Sequence, residues 1–363
     1  MQDGEGAVLC SCETGVRRVS RERVPRERVS DLYEWQLQTA AAGRDVDGSR
    51  RGSLVMSSGN GQQITIRDLK SIEDLRQMKV VEKQVWGMSD DDALPLTLAI
   101  ALKSAGNFFI GAFVGSKDFD RDKDKDKEKL VGFALGFLGR EHGRMTIHSH
   151  MLAVLDEYRH LDLGARLKWA QRERAMAMGI HEITWTFDPL HSRNAHFNFS
   201  KLGVVSDTYK IDFYGPETTS VLHRNGTDRL WVRWVLNSRR VRDRLAGKNE
   251  RTETLDALRL LAPLVRFEPS GKPGLADLGE SLRRQRVSIE IPGSILEVEK
   301  TDAGLAREWR DATRWAFFWA TKAGFFVSEF CRSIRGQQGP GAYLLQSGEV
   351  GDLIPEVQKK YLA

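Results

Sequence analysis

The chain has 363 residues, 40% of them hydrophobic, enough for two domains or for one domain with extensions. A formal net charge of +5 favours anionic small ligands and falls well short of a nucleic-acid binder. The three cysteines, Cys10, Cys12 and Cys331, form no even framework, which argues against a disulfide-stapled secreted fold.

No run of about 18 apolar residues exists, and no basic segment followed by an apolar run opens the chain. A cytoplasmic protein without a membrane partner is therefore expected. Cys10 and Cys12 stand too close together and too isolated for a metal site, and no metal is expected elsewhere.

Residues 1–55 carry many arginines and no lysine, with little periodicity beyond a short helix candidate over Asp31–Ala42. They read as a disordered tail. Gln63–Asp68 alternates as a first strand, and Ser71 should cap a helix running to about Trp86. Leu94–Lys103 reads as a short second helix, Asn107–Val114 as a strand and Leu130–Leu138 as its hairpin partner. The Asp/Lys run over 116–129 between them reads as a solvated loop.

Residues 145–180 are the most informative stretch. Alternation puts Met145, Ile147, Ser149, Met151 and Ala153 on one strand face, and Thr146, His148, His150, Leu152 and Val154 on the other. Both faces hold apolar residues, so the strand should be covered on both sides. Leu163, Leu167, Ala170 and Ala177 then mark a helical stripe. Between strand and helix lies Tyr158-Arg159-His160-Leu161-Asp162-Leu163-Gly164. A strand that ends in a turn opening a helix leaves unpaired N–H groups, a ready site for phosphate.

Downstream, His181–Phe187 reads as the next strand, a helix ends at Gly203, and Leu230–Leu236 closes the domain with a strand. Residues 237–285 are basic and polar, with helices near Arg239–Leu245 and Thr254–Leu261, and read as a connection. Val287–Ile291, a helix opened by Asp302 and ended by Gly324, Phe325–Cys331 and Ala342–Gln346 form a C-terminal strand-helix-strand module. Ala195, Phe197, Lys201 and Gly203 have the spacing of Ala316, Phe318, Lys322 and Gly324. That echo fits either a decayed half-repeat or an unrelated extension.

The strand, the turn from Arg159 to Gly164 and the helix after it resemble the acyl-CoA-binding motif of the GNAT superfamily of N-acyltransferases. Arg159 matches the motif's first position and Gly164 its last, and Asp162 stands where the family usually has its middle glycine. Residues 192–203 resemble the second signature of that family, a helix ending in Lys-x-Gly. With the C-terminal extension, the chain looks like a bacterial group of predicted acetyltransferases. The resemblance spans roughly residues 62–236. It implies an α/β fold, a GNAT-type mixed twisted sheet flanked by helices, with a C-terminal strand-helix-strand extension. The expected divisions are a tail at 1–55, an acyltransferase domain at 62–236, a connection at 237–285, the module at 286–347 and a tail at 348–363.

The resemblance further implies that backbone groups around Leu152 and Val154, and amides from Arg159, His160, Leu161, Asp162, Leu163 and Gly164, hold acetyl-CoA. Asn194 would take the place of the family's pantetheine-binding asparagine, since its usual position holds Ser192. The tyrosine that often protonates the departing thiolate is replaced by Phe199, so the general acid cannot be carried over. Asp162 either repels the pyrophosphate, by about 1 kcal/mol at 4 Å in water, or turns back to cap the helix. Arg159, Arg166 and Lys168 could offset its charge, or form a solvated helix face.

N-acyl transfer also needs a base. His148 and His150 lie two apart on one strand face and titrate near neutrality. The plainer reading makes both hydrogen-bonded core histidines. Asp188, at a strand's carboxyl end, is a further candidate, although Asp-Pro is more often a turn former. The expected function is acyl-CoA-dependent transfer of an acetyl group to a small-molecule or peptide amine by direct attack, with no nucleic-acid partner and room for a homodimer. The alternative is a non-catalytic acyl-CoA-binding or scaffold protein of the same fold.

Overall fold

In the computed structural model, residues 54–57, 63–90, 92–115, 128–141, 143–216, 225–248, 261–334 and 340–355 are described. The expectations for the tail before residue 54, the helix over Asp31–Ala42, most of the 116–129 loop and most of a helix near Thr254–Leu261 lie outside these residues. The chain divides into two units, Met1–Ile183 with Leu245–Gly247, and Thr184–Arg244 with Lys248–Ala363.

The first unit orders its strands β1-β2-β3-β4-β5, each antiparallel to its neighbour. They are β1 (Leu54–Ser57), β2 (Gln63–Asp68), β3 (Phe108–Val114), β4 (Lys129–Glu141) and β5 (Arg144–Val154). β1 is absent from the sequence pattern, and it overlaps the last two residues of the expected tail. Helix α1 (Ile72–Trp86) begins at Ser71, whose hydroxyl accepts from the Asp74 N–H while the Asp74 carboxylate accepts from the Ser71 N–H. This is the reciprocal cap that favours a helix start. Gly87, left-handed at φ 63°, closes the helix. α2 (Leu96–Ser104) starts two residues later than expected, because Pro95 takes the cap position.

α1 and α3 (Leu163–Ala177) pack on opposite faces of this sheet. Trp86 of α1 stands edge-on to Phe133 at 6.0 Å. Lys168 of α3 donates to Ser149 Oγ, and a Cβ on Gly136 would meet the Gln171 amide. Phe133 and Gly136 lie on alternate faces of β4. Of the predicted stripe, Leu163, Leu167 and Ala170 are buried, and Ala177 is exposed. Lys168, Gln171 and Arg172 are buried as well, so α3 is covered well beyond one stripe.

The second unit orders its strands β6-β8-β7-β12-β13-β11-β9-β10. They are β6 (Glu182–Phe187, entering this unit at Thr184), β7 (Val205–Lys210), β8 (Arg229–Val235), β9 (Pro263–Phe267), β10 (Pro273–Leu275), β11 (Arg286–Ile291), β12 (Phe325–Cys331) and β13 (Gly341–Ser347). β9 runs parallel to β11, whereas β7–β8, β7–β12, β12–β13, β11–β13 and β9–β10 are antiparallel, which makes this sheet mixed.

Helix α4 (Ser192–Ala195) continues as a π-helical segment, His196–Leu202. Gly203, at φ 77°, ends it, and a Cβ there would sit 3.2 Å from Arg244 of α5 (Arg239–Leu245). Both the left-handed backbone and the close approach call for glycine. The supposed connection at 237–285 holds β9, β10 and α6 (Leu278–Leu282), and α7 (Ile295–Thr301) precedes the long α8 (Ala303–Lys322). These short elements carry few periodic positions, which hides them from a pattern reading. Through residue 236 the order of elements is the one the GNAT resemblance implies, and the fold class is α/β as expected.

Candidate functional site

β5 does not alternate as a regular strand. Its register on β4 pairs Phe137 with His148 and Gly136 with Ser149, then resumes with Leu135 opposite Met151. His150 is the extra residue of a β-bulge. Because β4 runs from Gly132 to Phe137 without a skipped residue, the bulge carries Met151 and Ala153 to the face that His148 occupies, and Leu152 and Val154 to the face of Ser149. The sequence-based assignment of faces is therefore corrected beyond Ser149. A bulge leaves backbone groups of the extra residue out of the ladder and re-aims its side chain, and such kinks concentrate beside functional sites.

Both histidine rings stay beside Phe137. Its ring stacks on His148 at 6.0 Å and lies 5.0 Å from His150, and the two imidazoles are 6.5 Å apart. Both are half-buried. Burial lowers the His148 pKa to about 4, helped by the charges of His150 and Lys168. Burial also lowers that of His150. Both imidazoles are therefore neutral at pH 7, the state in which a ring nitrogen can accept a proton. On the other face, Lys168 is wholly buried and its Nζ donates to Ser149 Oγ at 2.7 Å. It is not the solvated cation that the helix pattern allowed.

The turn after β5 is a 3-10 segment, Asp156–Leu161. Arg159 braces it, its Nη2 pairing with Asp156 at 2.8 Å and its Nε donating to the Val154 carbonyl at 3.4 Å. His160 is exposed, and Leu161 and Asp162 are half-buried. Asp162 occupies the N-cap position of α3 with a left-handed backbone, φ 55°, and its side chain makes no capping hydrogen bond. The capping reading of Asp162 is thus overturned. The position adopts the backbone that glycine favours, and aspartate is among the few other residues that tolerate it. Its carbonyl accepts from the Ala165 and Arg166 N–H groups, which starts the helix. The amides before these, of Leu163 and Gly164, belong to the first turn, where no intrahelical acceptor exists.

The remaining candidates lie in the second unit. Asp188 is held between Arg310, whose Nη2 donates to it at 2.5 Å, and the Leu190 N–H at 2.9 Å. The Arg310, His191 and Arg229 charges outweigh its burial and hold the carboxyl well below the usual range. A carboxylate so committed is a weak base, and its bond to Leu190 is that of a turn former. Asn194 is buried in α4. Phe199, also buried, packs edge-on against Phe187 and Tyr343 and offers no proton.

The bulge, the burial of Lys168 and the Arg310 partnership are not legible in the sequence pattern.

Among the described residues, no group of three or more His, Cys, Asp or Glu could hold a metal ion. Among them, too, no helix is long and apolar enough to cross a membrane. No family model matches the chain, and no curated protein matches it. Solved structures do resemble it. The ribosomal-protein-S18-alanine N-acetyltransferase of Escherichia coli is 13% identical, with a TM-score of 0.35 over 48% of this chain and 94% of that one. A GNAT-family acetyltransferase of Streptococcus pneumoniae is 15% identical, with a TM-score of 0.35 over 47% and 97%. Likeness at this level assigns neither family nor activity.

Proposed function

We propose that the chain is an acyl-CoA-dependent N-acyltransferase of GNAT type, transferring an acyl group, in the first instance acetyl, to a primary amine. The bulge at His150 carries this reading. It interrupts the ladder a few residues before β5 ends, and the same run of chain goes on through the turn to the first amides of α3. One continuous segment thereby offers backbone donors for two parts of an extended ligand. The amides from His160 to Gly164 suit a pyrophosphate, and the backbone around Leu152 and Val154 suits the amide-bearing arm that leads to the thioester. Arg159 pairs with Asp156 and donates to the Val154 carbonyl, which braces this turn, and it remains a proposed contact to the ligand.

In the proposed reaction the acceptor amine, once deprotonated, attacks the thioester carbonyl. A backbone N–H near the bulge steadies the developing oxyanion. The C–S bond then breaks, the attacking nitrogen gives up its remaining extra proton to solvent, and CoA leaves as a thiolate that takes a proton from solvent. His150, neutral and on the bulge, is the base we assign, with His148 as a relay through water. Asn194 remains a proposed contact to the ligand. The acceptor is a small molecule or a peptide amine.

Phe199 and Asp162 favour a second reading, an acyl-CoA-binding protein without turnover. Calorimetry with CoA and acetyl-CoA, beside thiol release across a panel of amines, separates the two. Heat with turnover supports the enzyme, and heat without turnover supports the binder. No heat from a folded wild type overturns both, and Gly164→Glu should abolish the heat.

A further inference from the structure

The second unit contains the same topology twice. β6, α4 with its π-helical segment, β7 and β8 follow one another in the chain and lie in the spatial order β6-β8-β7. β11, α8, β12 and β13 follow one another, after the added α7, and lie in the order β11-β13-β12. In both runs the third strand sits between the other two, and each first strand has six residues.

The correspondence extends to single residues. Each helix gives way to a Lys-x-Gly whose glycine is left-handed, Gly203 at φ 77° and Gly324 at φ 81°. Counted from those glycines, Val205 matches Phe326, and Thr208 matches Glu329. Val205 pairs with Arg233 and Thr208 with Trp231, with a register shift between them. Phe326 pairs with Gln346 and Glu329 with Leu344, and a register shift again falls between them. The partners match too, for Arg233 and Trp231 have the same separation as Gln346 and Leu344. Matching helix ends could arise from common capping chemistry. A matching bulge at the matching residue is not required by strand pairing.

The two runs meet at their second strands. β7 and β12 pair antiparallel through Ser206 and Val327, each the third residue after its glycine. Equivalent residues facing each other across an antiparallel pair define a local two-fold axis, the relation that joins two identical chains edge to edge.

We infer that this unit holds two copies of one strand-helix-strand-strand module, and that the second copy fills the β7 edge where a second chain would otherwise add. An open edge strand invites pairing with another molecule, and here the chain supplies its own partner. The second copy also supports the first. Its Arg310 pairs with Asp188 at the end of β6, its Tyr343 hydroxyl donates to the Pro189 carbonyl at 2.6 Å, and its Phe330 carbonyl accepts from Ser200 Oγ at 2.9 Å. The partner that fits this edge is therefore an internal copy of the module.

The test places cysteines at Ser206 and Val327 in a full-length background with Cys10, Cys12 and Cys331 replaced. Both changes are small, and the two positions are Cα partners. Oxidation should give an intrachain disulfide, with the product running as a monomer of 41.0 kDa. Hydrogen exchange on the unmodified protein gives a second readout. The amides shared by β7 and β12 should stay equally protected over a hundredfold dilution. A cross-link between chains, protection lost on dilution, or no cross-link in a natively folded variant would each overturn the proposal. An exchanged pair, S206V/V327S, should melt closer to wild type than either single change, because on a two-fold axis the exchange restores the same pair.

Discussion

Lys168 Nζ reaches Ser149 Oγ at 2.7 Å from a position with no exposed surface. It places a buried amino group on the face of β5 opposite His148, one residue before the bulge. Its charge is one of the causes that lower the His148 pKa to about 4, behind burial and His150. Lys168→Met keeps much of the volume and removes the charge, so the His148 pKa should rise. It should stay below 6.5, because burial is the largest cause. Ring-proton NMR titration reads this directly. An unchanged pKa would mean that the ammonium exerts no field on the ring.

The same histidine links stability to pH. Folded His148 stays neutral down to about pH 4, while in the unfolded chain it binds a proton near 6.5. Its contribution to stability is complete above about pH 6.5 and is lost as the pH falls towards 4. The slope is at most about 1.4 kcal/mol per pH unit, and less for a half-buried ring. His148→Gln should flatten the dependence of the urea midpoint on pH in that window. An identical slope in wild type and variant would contradict it.

His150→Gln tests the base. A general base contributes roughly 10²–10⁴-fold, so kcat should fall within that range while the affinity for CoA stays near wild type. The acid limb of the wild-type rate profile should lie below the ordinary histidine range, because burial lowers this pKa. Full turnover in a folded variant would place the base elsewhere.

Asp162 separates backbone from charge. Its φ of 55° costs an ordinary side chain on the order of 1 kcal/mol. Asp162→Ala should therefore lower the melting temperature, and Asp162→Gly should not. With the carboxylate facing the ligand, Asp162→Gly should also tighten CoA binding by removing a repulsion of about 1 kcal/mol. Unchanged calorimetric affinity would show that the carboxylate points away from the ligand.

Asp188→Asn distinguishes a buried ion pair from a base. Leaving Arg310 without its carboxylate should cost about 3–5 kcal/mol of stability, seen as a large drop in melting temperature, with Arg310→Met added to Asp188→Asn recovering part of it. A kcat lost at unchanged melting temperature would instead restore Asp188 as a base.

The elements whose ends carry local chemistry are legible in short stretches of the chain. Ser71 and Asp302 cap their helices, Gly203 and Gly324 end theirs in left-handed backbone, and Gln63–Asp68 and Phe325–Cys331 are strands with the predicted bounds. Caps and turns depend on a few neighbouring residues, so they are written in short windows. The run from β5 to α3 was legible for the same reason. Features that depend on strand pairing and on distant contacts come from the folded chain. The bulge at His150 exists because β4 and β5 keep register on both sides of one extra residue, and a single strand read alone shows only alternation. Lys168 reads as a possible surface cation in its helix, and nothing in the pattern around Arg310 marks it out. They are buried because Ser149, 19 positions away, and Asp188, 122 positions away, meet them in space. The repeat was audible as four matching residues, but its two-fold relation rests on which strand edges pair, and long-range pairing leaves no mark in either strand alone.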